Sequence, residues 1–271
     1  MKMGLRIGKF CTALFSLILI EGCTDNFVLE NRDVNAITSI SASELPYVFN
    51  KAVSAAATNA TYYETTQNYF ADIYAQYFAK AVTTERYNVN TAYTARMYLV
   101  SYVQVGAQLK TILSTADPKS GEYALANIMW VFTIHRLTDV LGPIPYFDVI
   151  NGTDNTSYRY DKMSDIYADF FSRLTESVET LKKLNNTTAL FAGKENIYAG
   201  NVSRWVKFSN SLKLRLALRI SKVDQANAKK MAEEAVGSGV LDDNADNASV
   251  ARAAIGNDYN GLAYIAGWYA G

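Results

Sequence analysis

Cysteine is nearly absent from this chain: there are two in 271 residues, Cys11 and Cys23. Beyond residue 23 there is no thiol at all. No disulfide can brace the folded part, which must rest on an ordinary hydrophobic core, and a chain of this length can bury one. Cysteine nucleophiles and cysteine metal sites are excluded at the same stroke. Histidine is scarcer still. The single His135 stands beside Arg136 with no second ligand at helical spacing, so it reads as a plain helix residue rather than a metal ligand or a base. There is no G-x-S-x-G elbow to raise a serine nucleophile. Acid pairs such as Asp161 with Asp165, or Asp242 with Asp243, read as solvated loop or helix N-terminal acids, since nothing sets two of them across a cleft. The expectation is a protein that is not an enzyme, with no cofactor and no metal.

Net charge is missing too, because 26 basic residues balance 26 acidic ones. Loss of residues 1–22 would remove Lys2, Arg6, Lys9 and Glu21 and leave the remainder slightly acidic. No basic stripe is left to follow a phosphate backbone, and a nucleic-acid partner is not expected.

Long hydrophobic runs are limited to one, from Phe10 to Ile20, which is short of the roughly 20 apolar residues a bilayer span requires. It follows a basic stretch and ends at Glu21, as an export signal does. Ile20-Glu21-Gly22-Cys23 resembles the lipobox of bacterial lipoproteins, with an apolar residue three places before the cysteine and a small one just before it. Glu21 departs from the usual Ala, Ser or Thr. The expected organisation is a signal peptide over residues 1–22, a lipidated Cys23 with an extended tether over 23–42, and a helical domain over 43–271. Several acyl chains on one cysteine anchor a protein stably, whereas one chain, at ~0.8 kcal/mol per buried methylene, does so only marginally.

What the chain does have is helical periodicity. Ser43 is the expected N-cap of a first helix. A second run sets Phe70, Tyr74, Tyr77 and Phe78 on one apolar face. A third, over 91–114, carries one line through Met97, Val100, Gln104 and Ala107 and another through Tyr98, Tyr102, Val105, Leu109 and Ile112, and so is expected between neighbours. A fourth helix is predicted from about Ser120 to Leu137 or Thr138, stopped by Gly142, Pro143 and Pro145. Ile166, Phe170, Leu174, Val178 and Leu181 mark a fifth, and Trp205, Phe208, Leu212, Leu216 and Ile220 a sixth. A shorter one closes at Gly237. The class is all-α: stacked helix pairs of the tetratricopeptide kind with a loop-rich C-terminal region, and no strict 34-residue repeat.

Several stretches together resemble the SusD/RagB family of outer-membrane nutrient-binding lipoproteins, in its SusD-like branch. They are Cys23, "RLTDVLGPIPYFD" at 136–148, "YDKMSDIYADFFSRLTESVETL" at 160–181 and "NVSRWVKFSNSLKLRLALRIS" at 201–221, the most specific being the Trp205 to Arg219 pattern. Members are usually longer, so the resemblance makes this chain appear C-terminally truncated. It implies a lipid-anchored, surface-facing outer-membrane protein. Such a protein binds an oligosaccharide or peptide nutrient and hands it to a SusC-type TonB-dependent transporter. A helical scaffold binding only a protein partner fits the same fold.

Aromatic residues supply the binding candidates. There are 19 tyrosines and three tryptophans, and flat aromatic faces stack on the C–H faces of sugar rings while their polar edges stay wet. Tyr259, Tyr264, Trp268 and Tyr269, in the loop-rich tail, are the first candidates, followed by Tyr62, Tyr63 and Tyr87. Arg215 and Arg219, one helical turn apart, could clasp an acid on a neighbouring helix or form a solvated basic face.

Overall fold

The computed structural model describes residues 40–57, 60–78, 91–152, 157–184 and 188–251. Residues 1–40 and 41–271 form separate units, and the described helices all belong to the second. Its elements are helices throughout; the described residues contain one isolated antiparallel bridge, Ile144 with Asp161.

A one-turn 3-10 helix, Ala42–Glu44, leads into α1, Leu45–Ala56. The cap falls on Ser41 rather than Ser43. Glu44 reaches back to the Ser41 amide at 2.8 Å, so the capping box is set two residues earlier, and Ser43 lies inside the turn. Helix α2 joins Ala60–Tyr63 to a π-helical stretch, Glu64–Asp72. The expected apolar face does not reach Tyr77 and Phe78. Gln76 takes φ 63 and turns the chain away, leaving Tyr77 79% and Phe78 43% exposed.

Helix α3 runs through Thr91–Tyr98, the π-helical Leu99–Gly106 and Ala107–Thr115. The π turns explain why neither predicted line is buried as a whole. Wider turns rotate the later residues, so the core stripe begins on one line at Met97 and Val100 and continues on the other at Val105, Leu109 and Ile112. Gly106 is needed there, since a Cβ would stand 2.9 Å from the Ser101 carbonyl oxygen.

Helix α4, Gly121–Leu141, is capped by Ser120, whose hydroxyl accepts from the Tyr123 amide at 3.1 Å. It runs to Leu141 because Pro143 restricts only its predecessor, and Gly142 meets that restriction with φ 80. The short α5, Phe147–Asn151, follows, and then α6, Met163–Lys183, α7, Val202–Ile220, and α8, Gln225–Gly237. The glycine that reverses the chain after α8 is Gly239, φ 92, not Gly237. After it, residues 240–251 hold a single 3-10 turn, Asn244–Asp246.

The helices stack in sequence: α1 on α3, α3 on α4, α4 on α6, α6 on α7 and α7 on α8. Short connections at 116–120 and 221–224 make the joined neighbours antiparallel, as in tetratricopeptide-like arrays. Aromatic rings knit the stack. Phe49 of α1 stacks on Phe191 at 4.4 Å and meets the edge of Trp205 at 6.0 Å, and Trp205 packs against Tyr198 and Phe208, each at 5.4 Å. Trp205 and Leu212 are core, as their spacing predicts, while Phe208 is half-buried. Beneath them Glu195, 3% exposed, accepts from the amides of Ile197, Tyr198 and Gly200 and from Trp205 Nε1 at 3.0 Å, so a buried carboxylate pins the loop before α7.

Candidate functional site

A second set of acids fixes the Gly142 to Phe147 corner. Asp161 accepts from the amides of Tyr146 and Phe147, both at 2.9 Å, and returns its own amide to Ile144 O at 2.9 Å. Asp161 is therefore an internal cap rather than a solvated acid. Asp242 pairs with Lys207 at 2.8 Å, and Asp243 caps the 3-10 turn through the Ala245 amide at 2.7 Å. None of the acid pairs considered from the sequence spans a cleft.

Where α2, α3, α4 and α7 face one another they leave an open cleft of about 1320 Å³. Helix α4 contributes Phe132, His135, Arg136 and Asp139, one turn apart along a single face, and α7 contributes Arg215 and Arg219. Helix α2 and the turn after it add Tyr63, Asp72, Tyr74 and Tyr77. The Tyr63 hydroxyl donates to Asp72 at 2.9 Å; burial, then that carboxylate, push its pKa up to about 12. Tyr62 lies beside it, its hydroxyl accepting from Gln104 Nε2 at 2.8 Å.

Arg136 crosses between helices, donating to Ala56 O at 3.2 Å and Gln67 Oε1 at 3.1 Å with its guanidinium 5.7 Å from the Phe132 ring centre. Both acceptors are neutral. Burial, then the neighbouring Arg215, pull its pKa below the usual arginine value. His135 is 1% exposed and has Nδ1 2.9 Å from Val131 O. Burial brings its pKa down to about 4, which keeps the imidazole neutral near pH 7. Asp139 accepts from the Tyr167 hydroxyl and lies 3.6 Å from Arg219 Nε. Of the two arginines singled out by spacing, Arg219 thus meets an acid on a neighbouring helix, and Arg215 meets none among the described residues.

A different aromatic surface lies on the outer side of α3. Tyr98 and Tyr102 approach at 5.8 Å, Tyr102 donates to Pro145 O at 2.5 Å, and Tyr98 bonds Tyr160, which is 65% exposed. Leu99 and Val103 are exposed on the same helix. The alternating apolar lines of α3 concealed this patch, because the π turns decide which line faces outward.

Of the sequence candidates, Tyr63 lines the cleft, while Tyr62 is held by Gln104 and does not line it. Tyr259, Tyr264, Trp268, Tyr269, Tyr87 and Cys23 lie outside the described residues. Among the described residues no three His, Cys, Asp or Glu side chains gather as a metal site would require, and no helix is long and apolar enough to cross a membrane.

The chain belongs to the SusD-like family, the SusD and RagB outer membrane lipoproteins, whose model matches residues 24–269. Among solved structures, a SusD homolog from Bacteroides uniformis ATCC 8492 is 33% identical, with TM-score 0.66 over 79% of this chain and 46% of its own. A chitin-binding SusD homolog from Flavobacterium johnsoniae is 27% identical, with TM-score 0.68 over 83% of this chain and 47% of its own. One from Bacteroides vulgatus ATCC 8482 is 25% identical, with TM-score 0.69 over 82% and 48%. The chain thus spans about half the length of the solved structures it matches. No curated protein sequence matches it.

Proposed function

We propose that this protein is a non-catalytic outer-membrane lipoprotein, anchored through Cys23, that captures an oligosaccharide at the cell surface for a TonB-dependent transporter. The observation that carries the reading is membership of a nutrient-binding family with a chitin-binding relative at 27% identity. The cleft supports it. Tyr63, Tyr74 and Tyr77 offer aromatic faces, and arginine donors stand across from them, the mixture that a sugar's apolar and hydroxyl faces require. The tail aromatics Tyr259, Tyr264, Trp268 and Tyr269 are the further proposed sugar-stacking residues.

A protein-facing role for the outer side of α3 accompanies this reading, since Leu99 and Val103 of that helix are exposed apolar side chains. The test is a glycan array followed by calorimetry on protein from residue 24 onward, with chitooligosaccharides included and circular dichroism confirming the fold. Saturable binding lost in Trp268→Ala supports the reading and places part of the site in the tail. A folded chain that binds no glycan overturns it in favour of a protein scaffold. For the anchor, Cys23→Ala is expected to move the protein from the membrane fraction to the soluble one.

A further inference from the structure

The cleft is out of electrostatic balance. Among the described residues three guanidiniums, of Arg136, Arg215 and Arg219, line it with only two carboxylates, Asp72 and Asp139. Both acids are already engaged, Asp72 by Tyr63 and Asp139 by Tyr167 and Arg219. Among the described residues neither Arg136 nor Arg215 has a carboxylate within ion-pair distance. Arg136 is half-buried, and neutral oxygens alone hold it. A desolvated cation without a counter-charge is costly, and a second guanidinium nearby adds repulsion.

Beside them His135, buried with Nδ1 against the Val131 carbonyl and its pKa brought down to about 4, adds no charge of its own near pH 7. The cleft therefore calls for an anion. A neutral sugar does not supply one, whereas a sugar acid does, and its planar carboxylate matches the fork of an arginine.

We propose that the cleft selects an acidic saccharide, with the carboxylate on Arg215 and Arg136; this rests on the glycan-binding reading. Calorimetry with a galacturonate trimer, its methyl ester and chitotriose tests it. The acid trimer is expected to bind about tenfold or more tighter than the ester, the worth of one charged hydrogen bond. The gap is expected to close in Arg215→Gln, an exposed position whose loss leaves the fold intact. Equal binding of acid and ester, or binding of chitotriose alone, overturns the proposal and leaves the glycan reading standing. Competition by an aspartate-rich peptide as effective as the acid trimer also overturns it, in favour of a protein occupant. Binding of none of the three sugars overturns the acidic-saccharide proposal, while the glycan reading stands or falls on the array.

Discussion

Two arginines of the same stack are treated in opposite ways. Arg173 of α6, half-buried, donates to Asp169 at 2.5 Å and to Asn127 Oδ1 at 2.6 Å. Asp169 also takes the Tyr146 hydroxyl, which in turn accepts Trp130 Nε1 at 3.1 Å. Donors and acceptors close on one another between α4 and α6. Arg136, one face away on α4 and also half-buried, finds neutral oxygens only, beside a histidine with a vacant lone pair. The contrast marks where the molecule is finished. The closed network is structural, since its groups are satisfied within the chain, whereas the open cluster is left without a counter-charge by the described residues.

The largest effect tests the closed network. Asp169→Ala strands Arg173 and the Tyr146 hydroxyl, and is expected to cost about 3 kcal/mol in urea unfolding. A cost within ~0.5 kcal/mol would erase the contrast between the two arginines.

The open cluster shows itself through pH. The His135 pKa is depressed in the folded state, to about 4 from an ordinary 6.5, so the unfolded chain binds the extra proton first as pH falls. Its contribution is complete above pH 6.5 and drains away as pH drops toward 4, by up to about 3 kcal/mol at the low end. Asp139, Arg136 and Arg215 are the charged groups acting on it. Between pH 6.5 and about 4.5 the slope is expected to flatten in His135→Gln. Below that range the lowered carboxyls of Glu44, Asp148, Glu234 and Asp242 join in.

A smaller change refines the contrast by touching neither cluster. Ser120→Ala removes the cap of α4 that orients both faces, and should lower stability by about 1 kcal/mol while leaving any ligand affinity unchanged. The smallest expected effect is that of Arg215→Gln on stability. The residue is exposed and has no ion pair, so thermal unfolding should move by less than ~0.5 kcal/mol even as ligand binding changes. Marked destabilisation would make Arg215 a structural residue after all.

The fold was legible because burial imposes periodicity. Ile166, Phe170, Leu174 and Leu181 recur at helical spacing, and all four are buried on one face of α6. The stop at Gly142 and Pro143 was equally local, since it depends on allowed backbone angles and a missing amide. The α3 stripe was not legible, because π turns change the period along which a sequence is read. The end of α2 was also hidden: nothing in the composition announced the positive φ of Gln76. Asp161 could not be told from a solvated acid, as its partners lie 14 and 15 residues earlier in the chain.

Residue order alone thus dictates the helical class, the succession of the helices, their apolar faces and the absence of disulfides. These follow from short-range sterics and from the transfer of apolar side chains out of water, which act on residues within a few turns of one another. Which charges are neutralised was settled only by the packing of the helices. Arg136 and Asp139 are unremarkable in sequence and Arg215 is marked there only by its spacing from Arg219; whether each meets an acid, a carbonyl or open solvent depends on how α2, α4 and α7 converge. Electrostatic satisfaction is a property of distances between helices, and the cleft with its unmatched arginines exists only once those distances are set.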